Sequence, residues 1–262
     1  KKFEDMLKTN LTYFFDAQEI EYIAQHYIDF GKANLAKKAI KIGNNQHPSN
    51  LNILLLKTEM LILEDKLKKA NDILALIHKI EPNNLDAYIQ KAAIFSKLKQ
   101  HNKSIDVLYE CLSLSDNKFE VWHLIAMEFL ALGNFHKAKI YFGYCLENEP
   151  NDHQILYNLI YCIDNLKSYK EGVKILNKIL EKDPYNELVW LELGKLFLEL
   201  EDLGRALNSF DYAILCDDEF SAAYVEKAKL LQKNNNYSEA IENYQFSLTL
   251  ESPSAFIYLR IA

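Results

Sequence analysis

The sequence predicts an all-α fold, a solenoid of stacked helix–turn–helix repeats. Three observations predict it. Helix breakers and capping residues recur every 34 positions, at Pro48, Pro82, Asp116, Pro150, Pro184, Asp218 and Ser252. Apolar residues within each period fall three and four apart, as in Leu156, Leu159, Ile160 and Ile163, which is helical spacing. Gly and Pro, which break helix interiors, number only 7 and 5 in 262 residues.

Numbering each period so that the breaker sits at place 32 gives seven repeats: 17–50, 51–84, 85–118, 119–152, 153–186, 187–220 and 221–254. Residues 1–16 precede them as a capping helix or a degenerate earlier repeat. Phe3, Met6 and Leu7 share one helical face there, and Phe14-Phe15 is placed to wedge under the first helix of repeat one. Residues 255–262 start an eighth repeat, with Tyr258, Ile261 and Ala262 at places 4, 7 and 8. A solenoid that stops inside a helix leaves apolar surface that a cap would cover, so the sequence is expected to be part of a longer protein.

Side-chain size follows the same register. Place 8 is small in Ala24, Thr58, Ala92, Ala126, Gly194 and Ala228, with Ile160 the exception. Place 20 is small throughout: Ala36, Ala70, Ser104, Ala138, Gly172, Ala206 and Ala240. Place 11 is large (Tyr27, Leu61, Phe95, Phe129, Ile163, Phe197, Leu231), as is place 24 (Ile40, Leu74, Leu108, Phe142, Leu176, Phe210, Tyr244). Small residues let two helix backbones approach, and large ones fill the space beside them. Between the two helices of each repeat lies a short polar turn, in which Gly31 and Gly133 suit the left-handed conformation that ends a helix.

Composition narrows the function. The formal net charge is −7, and no basic stripe stands ready to replace phosphate counterions, so nucleic acid is not an expected partner. Cys111, Cys145, Cys162 and Cys216 show no C-x-x-C spacing and no zinc pattern; free thiols in a reducing compartment, by default the cytoplasm, are expected. The most apolar stretch, 51–63, is too short and too polar to cross a bilayer, and no signal peptide opens the sequence, although it begins without Met. There is no G-x-S-x-G, no Gly-rich phosphate loop and no H-E-x-x-H. No catalysis, cofactor or metal is expected.

The columns resemble the tetratricopeptide repeat, whose pattern runs W-x₂-L-G-x₂-Y, then A-x₃-F, then P. Trp190-x₂-Leu193-Gly194-x₂-Phe197 with Ala206-x₃-Phe210 follows it, as does Trp122-x₂-Ile125-Ala126-x₂-Phe129 with Ala138-x₃-Phe142 and Pro150. The resemblance covers 17–254 and implies a right-handed α–α superhelix whose first helices line a concave groove. By the same carry-over, places 2, 5, 9, 12 and 13 face that groove. They put His123, Met127, Leu130, Tyr157, Tyr161, Asn165, Leu191 and Lys195 there, with Asn158 beside them. This middle stretch is apolar and aromatic, whereas repeat one offers the polar and acidic Gln18, Glu21, Gln25 and Asp29. Tyr buries much area while keeping a polar tip, and Met adapts its shape, so both suit a binding surface.

Chaperone-binding members of the family clamp a terminal carboxylate with Lys, Asn and Arg side chains. Asn158 occupies one such place, but His123 and Met127 stand where the preceding Lys and Asn belong, and Leu188 and Glu192 where following cations belong. The resemblance therefore implies a scaffold that holds a peptide or helix of a partner protein without that clamp. Two alternatives are a targeting or regulatory region of a larger enzyme, such as a glycosyltransferase or kinase, and self-association through the ends or the groove.

Overall fold

A computed structural model describes residues 2–9, 13–250 and 255–261. Ser252, the end of the seventh predicted repeat at 251–254, Ala262, and residues 1 and 10–12 of the predicted capping segment lie outside the described residues. Every regular element among those described is an α-helix. In chain order they are α1 (Lys2–Thr9), α2 (Ala17–Asp29), α3 (Ala33–Gln46), α4 (Leu51–Leu63), α5 (Leu67–Ile80), α6 (Leu85–Lys97), α7 (His101–Leu114) and α8 (Phe119–Ala131). There follow α9 (Phe135–Asn148), α10 (His153–Leu166), α11 (Tyr169–Lys182), α12 (Glu187–Glu199), α13 (Leu203–Cys216), α14 (Ser221–Lys233), α15 (Tyr237–Leu250) and α16 (Ala255–Ile261). From α2 onward each even-numbered helix starts 34 residues after the last, and so does each odd-numbered one from α3.

Local chemistry sets both ends of the even-numbered helices. At their N-termini Asp16, Asn50, Asn84, Asp152 and Asn186 each accept a hydrogen bond from the backbone N–H three residues on, a cap worth about 1 kcal/mol. Asp16 and Glu19 close a reciprocal capping box. At their C-termini the residue at place 15 turns left-handed: Gly31, Asp65, Lys99, Gly133, Lys167, Glu201 and Asn235 all have φ between +48° and +70°. Around each, two backbone bonds form, such as Gly133 N–H to the Leu130 carbonyl (2.9 Å) and Asn134 N–H to the Phe129 carbonyl (2.9 Å). This is the Schellman geometry, which satisfies carbonyls left over at a helix end. The sequence reading found only the two glycines in this column.

The chain divides into two compact units, Lys1–Val121 and Trp122–Ala262. In the first, α2 packs on α3, α4 on α5 and α6 on α7. Its core includes Phe3, Met6, Phe15, Ile20, Ala24 and Tyr27, so α1 packs on the apolar face of α2. The expected Phe14-Phe15 wedge is corrected to Phe15 alone. Phe15 is buried, while Phe14 is exposed and meets the edge of the His47 ring at 5.4 Å. In the second unit α9 packs on α10, α11 on α12, α12 on α13 and α14 on α15.

Places 8 and 20 meet as their sizes require. The Ser104 hydroxyl donates to the Ala92 carbonyl at 3.0 Å, a side chain of α7 against the backbone of α6. Every place-24 side chain, from Ile40 to Tyr244, is buried. Place 11 gains a cover that sequence reading missed: Lys103 lies over Phe95, Lys137 over Phe129 and Arg205 over Phe197, the last at 4.4 Å. The breaker column has a second use as well. Trp190 Nε1 donates to the Pro184 carbonyl (2.8 Å) and the Tyr224 hydroxyl to the Asp218 carbonyl (3.1 Å), so place 32 anchors the next repeat's large aromatic.

Candidate functional site

In the second unit α8, α10 and α12 carry the side chains that the sequence assigned to the groove. α8 and α10 are buried along the stripe that meets their partners and leave other positions exposed, whereas α12 is buried nearly all round, with Glu199 its one exposed residue. Met127, Tyr157 and Tyr161 occupy such exposed positions of α8 and α10 and are 41%, 51% and 54% exposed. His123, Leu130 and Asn158 are half-buried, and Asn165 is exposed. Leu191 is 3% exposed and offers no surface to a partner. Its place-5 equivalent Leu55 is buried as well, at 7%. At this place a leucine is short enough for neighbouring side chains to cover, whereas the longer Tyr157 reaches past them.

Several of these residues touch. Asn158 Nδ2 lies 3.8 Å from Met127 Sδ, which links α10 to α8. The Tyr161 ring stands edge-on to Phe135 at 5.7 Å, and His123 lies 6.4 Å from the Phe142 ring. Asn165 donates to the Tyr161 carbonyl (2.8 Å), so its amide is held by its own helix. Lys195 is engaged too: its ammonium donates to Glu192 at 2.8 Å and neutralises a carboxylate that is only 5% exposed.

Beside this strip lies an acidic group that the sequence reading did not single out as a set. Burial, with the Glu199 charge, raises the Asp164 carboxyl above its ordinary range. Burial raises the Tyr169 hydroxyl, and Glu199 and Asp164 add to it. The strip therefore ends in negative charge. Lys139, 3% exposed, is a structural cation that no column predicted: it donates to Ser168 Oγ at 3.0 Å and pairs with Glu171.

The first unit carries a hollow of about 660 Å³ on α2, α4 and α6. Its apolar lining comes from Tyr22, Leu55, Leu56, Ile62, Leu63, Ile89 and Ala93. Its polar lining comes from Gln25, Asn52, Gln90 and the carboxylates Glu21, Glu59, Asp86 and Glu120. Burial, and then the charge of Asp29, raises the Glu59 carboxyl. Sequence reading named Glu21 and Gln25 as groove-facing but did not read the second repeat's contribution, Asn52, Leu55, Glu59 and Leu63.

Among the described residues no three His, Cys, Asp or Glu side chains are placed to hold a metal ion, and no helix is long and apolar enough to cross a membrane. Family models for the tetratricopeptide repeat match residues 85–118 and 123–187. A TPR repeat-containing protein of Methanocaldococcus jannaschii is 32% identical over 182 residues, which cover 65% of this chain and 50% of that protein. The BBSome complex member BBS4 of Bos taurus is 23% identical over 194 residues, covering 73% of this chain and 37% of that protein. The chain thus spans between about a third and half of the length of the curated relatives it matches.

Among solved structures, the C-terminal part of a TPR repeat-containing protein from Cytophaga hutchinsonii superposes with a TM-score of 0.69 at 15% identity, over 93% of this chain and all of that one. YrrB, described as a TPR protein with an unusual peptide-binding site, gives a TM-score of 0.51 at 15% identity, over 71% of this chain and 95% of its own. These likenesses agree in fold with the 34-residue helix register, the small-residue columns at places 8 and 20 and the family matches; the chain carries tetratricopeptide repeats.

Proposed function

We propose that this chain is a protein-interaction scaffold, and that the α8–α10 face of its second unit holds a peptide or helix of a partner. The observation that carries the reading is the exposure of Met127, Tyr157 and Tyr161 on helices whose opposite sides are buried. The fold does not need these three side chains for its core. Exposed aromatic and Met side chains grouped on one face have the composition of binding hot spots. Half-buried His123, Leu130 and Asn158 would form the polar and apolar edge of the same contact. Lys195 is paired with Glu192, so its part is to balance that buried carboxylate's charge rather than to clamp a partner's acid. A peptide-binding site described for YrrB on the same fold is consistent with this use.

The test is affinity capture from a lysate of the source cells, with Tyr157→Ala compared with the unaltered chain. Because Tyr157 is half exposed, the substitution should shift the melting temperature by no more than about 2 °C, as for a surface change below roughly 0.5 kcal/mol. Loss of the captured partner at that small stability cost is the expected result. Undiminished capture by both Tyr157→Ala and Met127→Ala would refute the placement of the site.

A further inference from the structure

The first unit's hollow has a chemistry of its own. None of its lining residues is Lys, Arg or His, whereas four are carboxylates, Glu21, Glu59, Asp86 and Glu120. The cation beside it, Lys97, donates its ammonium to the Ile62 carbonyl at 2.8 Å and is spent on the backbone. Glu21 accepts only an amide hydrogen bond, from Asn52 at 3.1 Å. A second observation is independent of the charges. Gln90 donates to the Leu55 carbonyl (3.1 Å), and its side-chain oxygen is buried on the hollow's wall with no hydrogen-bond partner in the structure. A buried acceptor left bare costs free energy that an incoming N–H would recover.

We infer that this hollow docks a partner segment in which apolar side chains alternate with Lys or Arg. The apolar lining receives the apolar side chains and the stems of the basic ones, while the basic heads meet the carboxylates. An Arg or Lys N–H reaching Gln90 Oε1 satisfies the remaining acceptor. Such complementary charge excludes acidic segments more sharply than it raises affinity for basic ones. This inference rests on the scaffold reading, but it concerns a different surface and names the partner's chemistry.

The probes are two labelled peptides of about 18 residues, an amphipathic Leu/Lys helix and the same sequence with Glu for every Lys. Fluorescence anisotropy follows binding to the full chain at about 0.15 M salt, where surface charges act over about 8 Å. The Lys peptide is expected to bind at least about tenfold more tightly than the Glu peptide. The double variant E59Q/D86N should weaken it about tenfold with an unchanged melting temperature, whereas D106N/E110Q, two exposed carboxylates on α7, should leave it unaltered. Equal affinity for both peptides, or equal losses in the two double variants, overturns the inference. Capture lost in Tyr157→Ala while the Lys peptide fails to bind overturns this inference and leaves the scaffold reading in place. Lys-peptide binding that responds to E59Q/D86N while Tyr157→Ala captures normally supports this inference alone.

Discussion

The seven left-handed residues at place 15 give a stability prediction that owes nothing to packing. A β-carbon built on Gly133 would meet no atom within 4 Å, so Gly133→Ala adds only backbone strain. An L-residue in the left-handed region costs about 1–2 kcal/mol. Removing the unfolded-state freedom of glycine returns about 0.5–1 kcal/mol. The net loss is therefore about 0.5–1 kcal/mol, or roughly 1–4 °C in melting temperature for a chain of this size. The argument reverses at Lys99 and Glu201, which hold φ of 57° and 60° without being glycine. Lys99→Gly and Glu201→Gly should each stabilise by about 0.5 kcal/mol, and because the two sites share no partner their effects should add. Thermal and urea unfolding followed by far-ultraviolet circular dichroism read all three variants and the double. An unchanged melting temperature in Gly133→Ala, or a lower one in both glycine variants, would refute the strain account.

Two other expectations come from titrating groups. Hydrogen bonds from Lys37 and then Lys66 hold the Glu64 carboxyl at about 2, below its ordinary 4.5, so its contribution is complete above about pH 4.5 and lost as pH falls toward 2. Glu64→Gln should lower the urea midpoint at neutral pH, with the difference closing near pH 2; a gap that is constant with pH would refute this. Burial pushes the Cys145 thiol up to about 12 and Cys162 to about 11, and raises Cys111 as well. At neutral pH a thiol reagent should therefore label only the half-exposed Cys216 in the native chain and all four thiols in urea. Rapid native labelling of a second thiol would refute it.

The fold was legible because each requirement of the stack repeats. Small residues at places 8 and 20 and large ones at place 24 are imposed by helix contact, so the same size recurs in all seven repeats at places 20 and 24, and in six at place 8, and stands out from chance. The left-handed column was invisible because backbone geometry, and no side chain, defines it. Five of its seven members are Asp, Lys, Lys, Glu and Asn, and only the register shared with Gly31 and Gly133 reveals them. The surface was partly legible. Places 5 and 9 assigned Tyr157, Tyr161, Met127 and Leu191 alike to the groove; the first three are exposed and Leu191 is buried. Periodicity gives direction along a helix; whether a neighbour covers the side chain depends on its length and on what lies opposite.

Places 5 and 9 also explain why the two units differ in chemistry while sharing a backbone plan. Packing fixes the residue at places 8, 20 and 24, so nothing about a ligand is written there. At places 5 and 9 the fold tolerates Glu21, Glu59, Tyr157 and Tyr161 alike, and none of these choices improves the stack. Tyr161 gains one ring contact with Phe135, while Glu59 has a carboxyl raised by burial and by the charge of Asp29 and so gains nothing from the stack. A side chain that adds nothing to the stack is free to serve a ligand. Substitution at place 15 should therefore move stability and leave binding alone, whereas substitution at places 5 and 9 should do the reverse. If Glu59→Gln and Gly133→Ala shifted melting temperature and binding in fixed proportion, the division between structural and recognition columns would be lost.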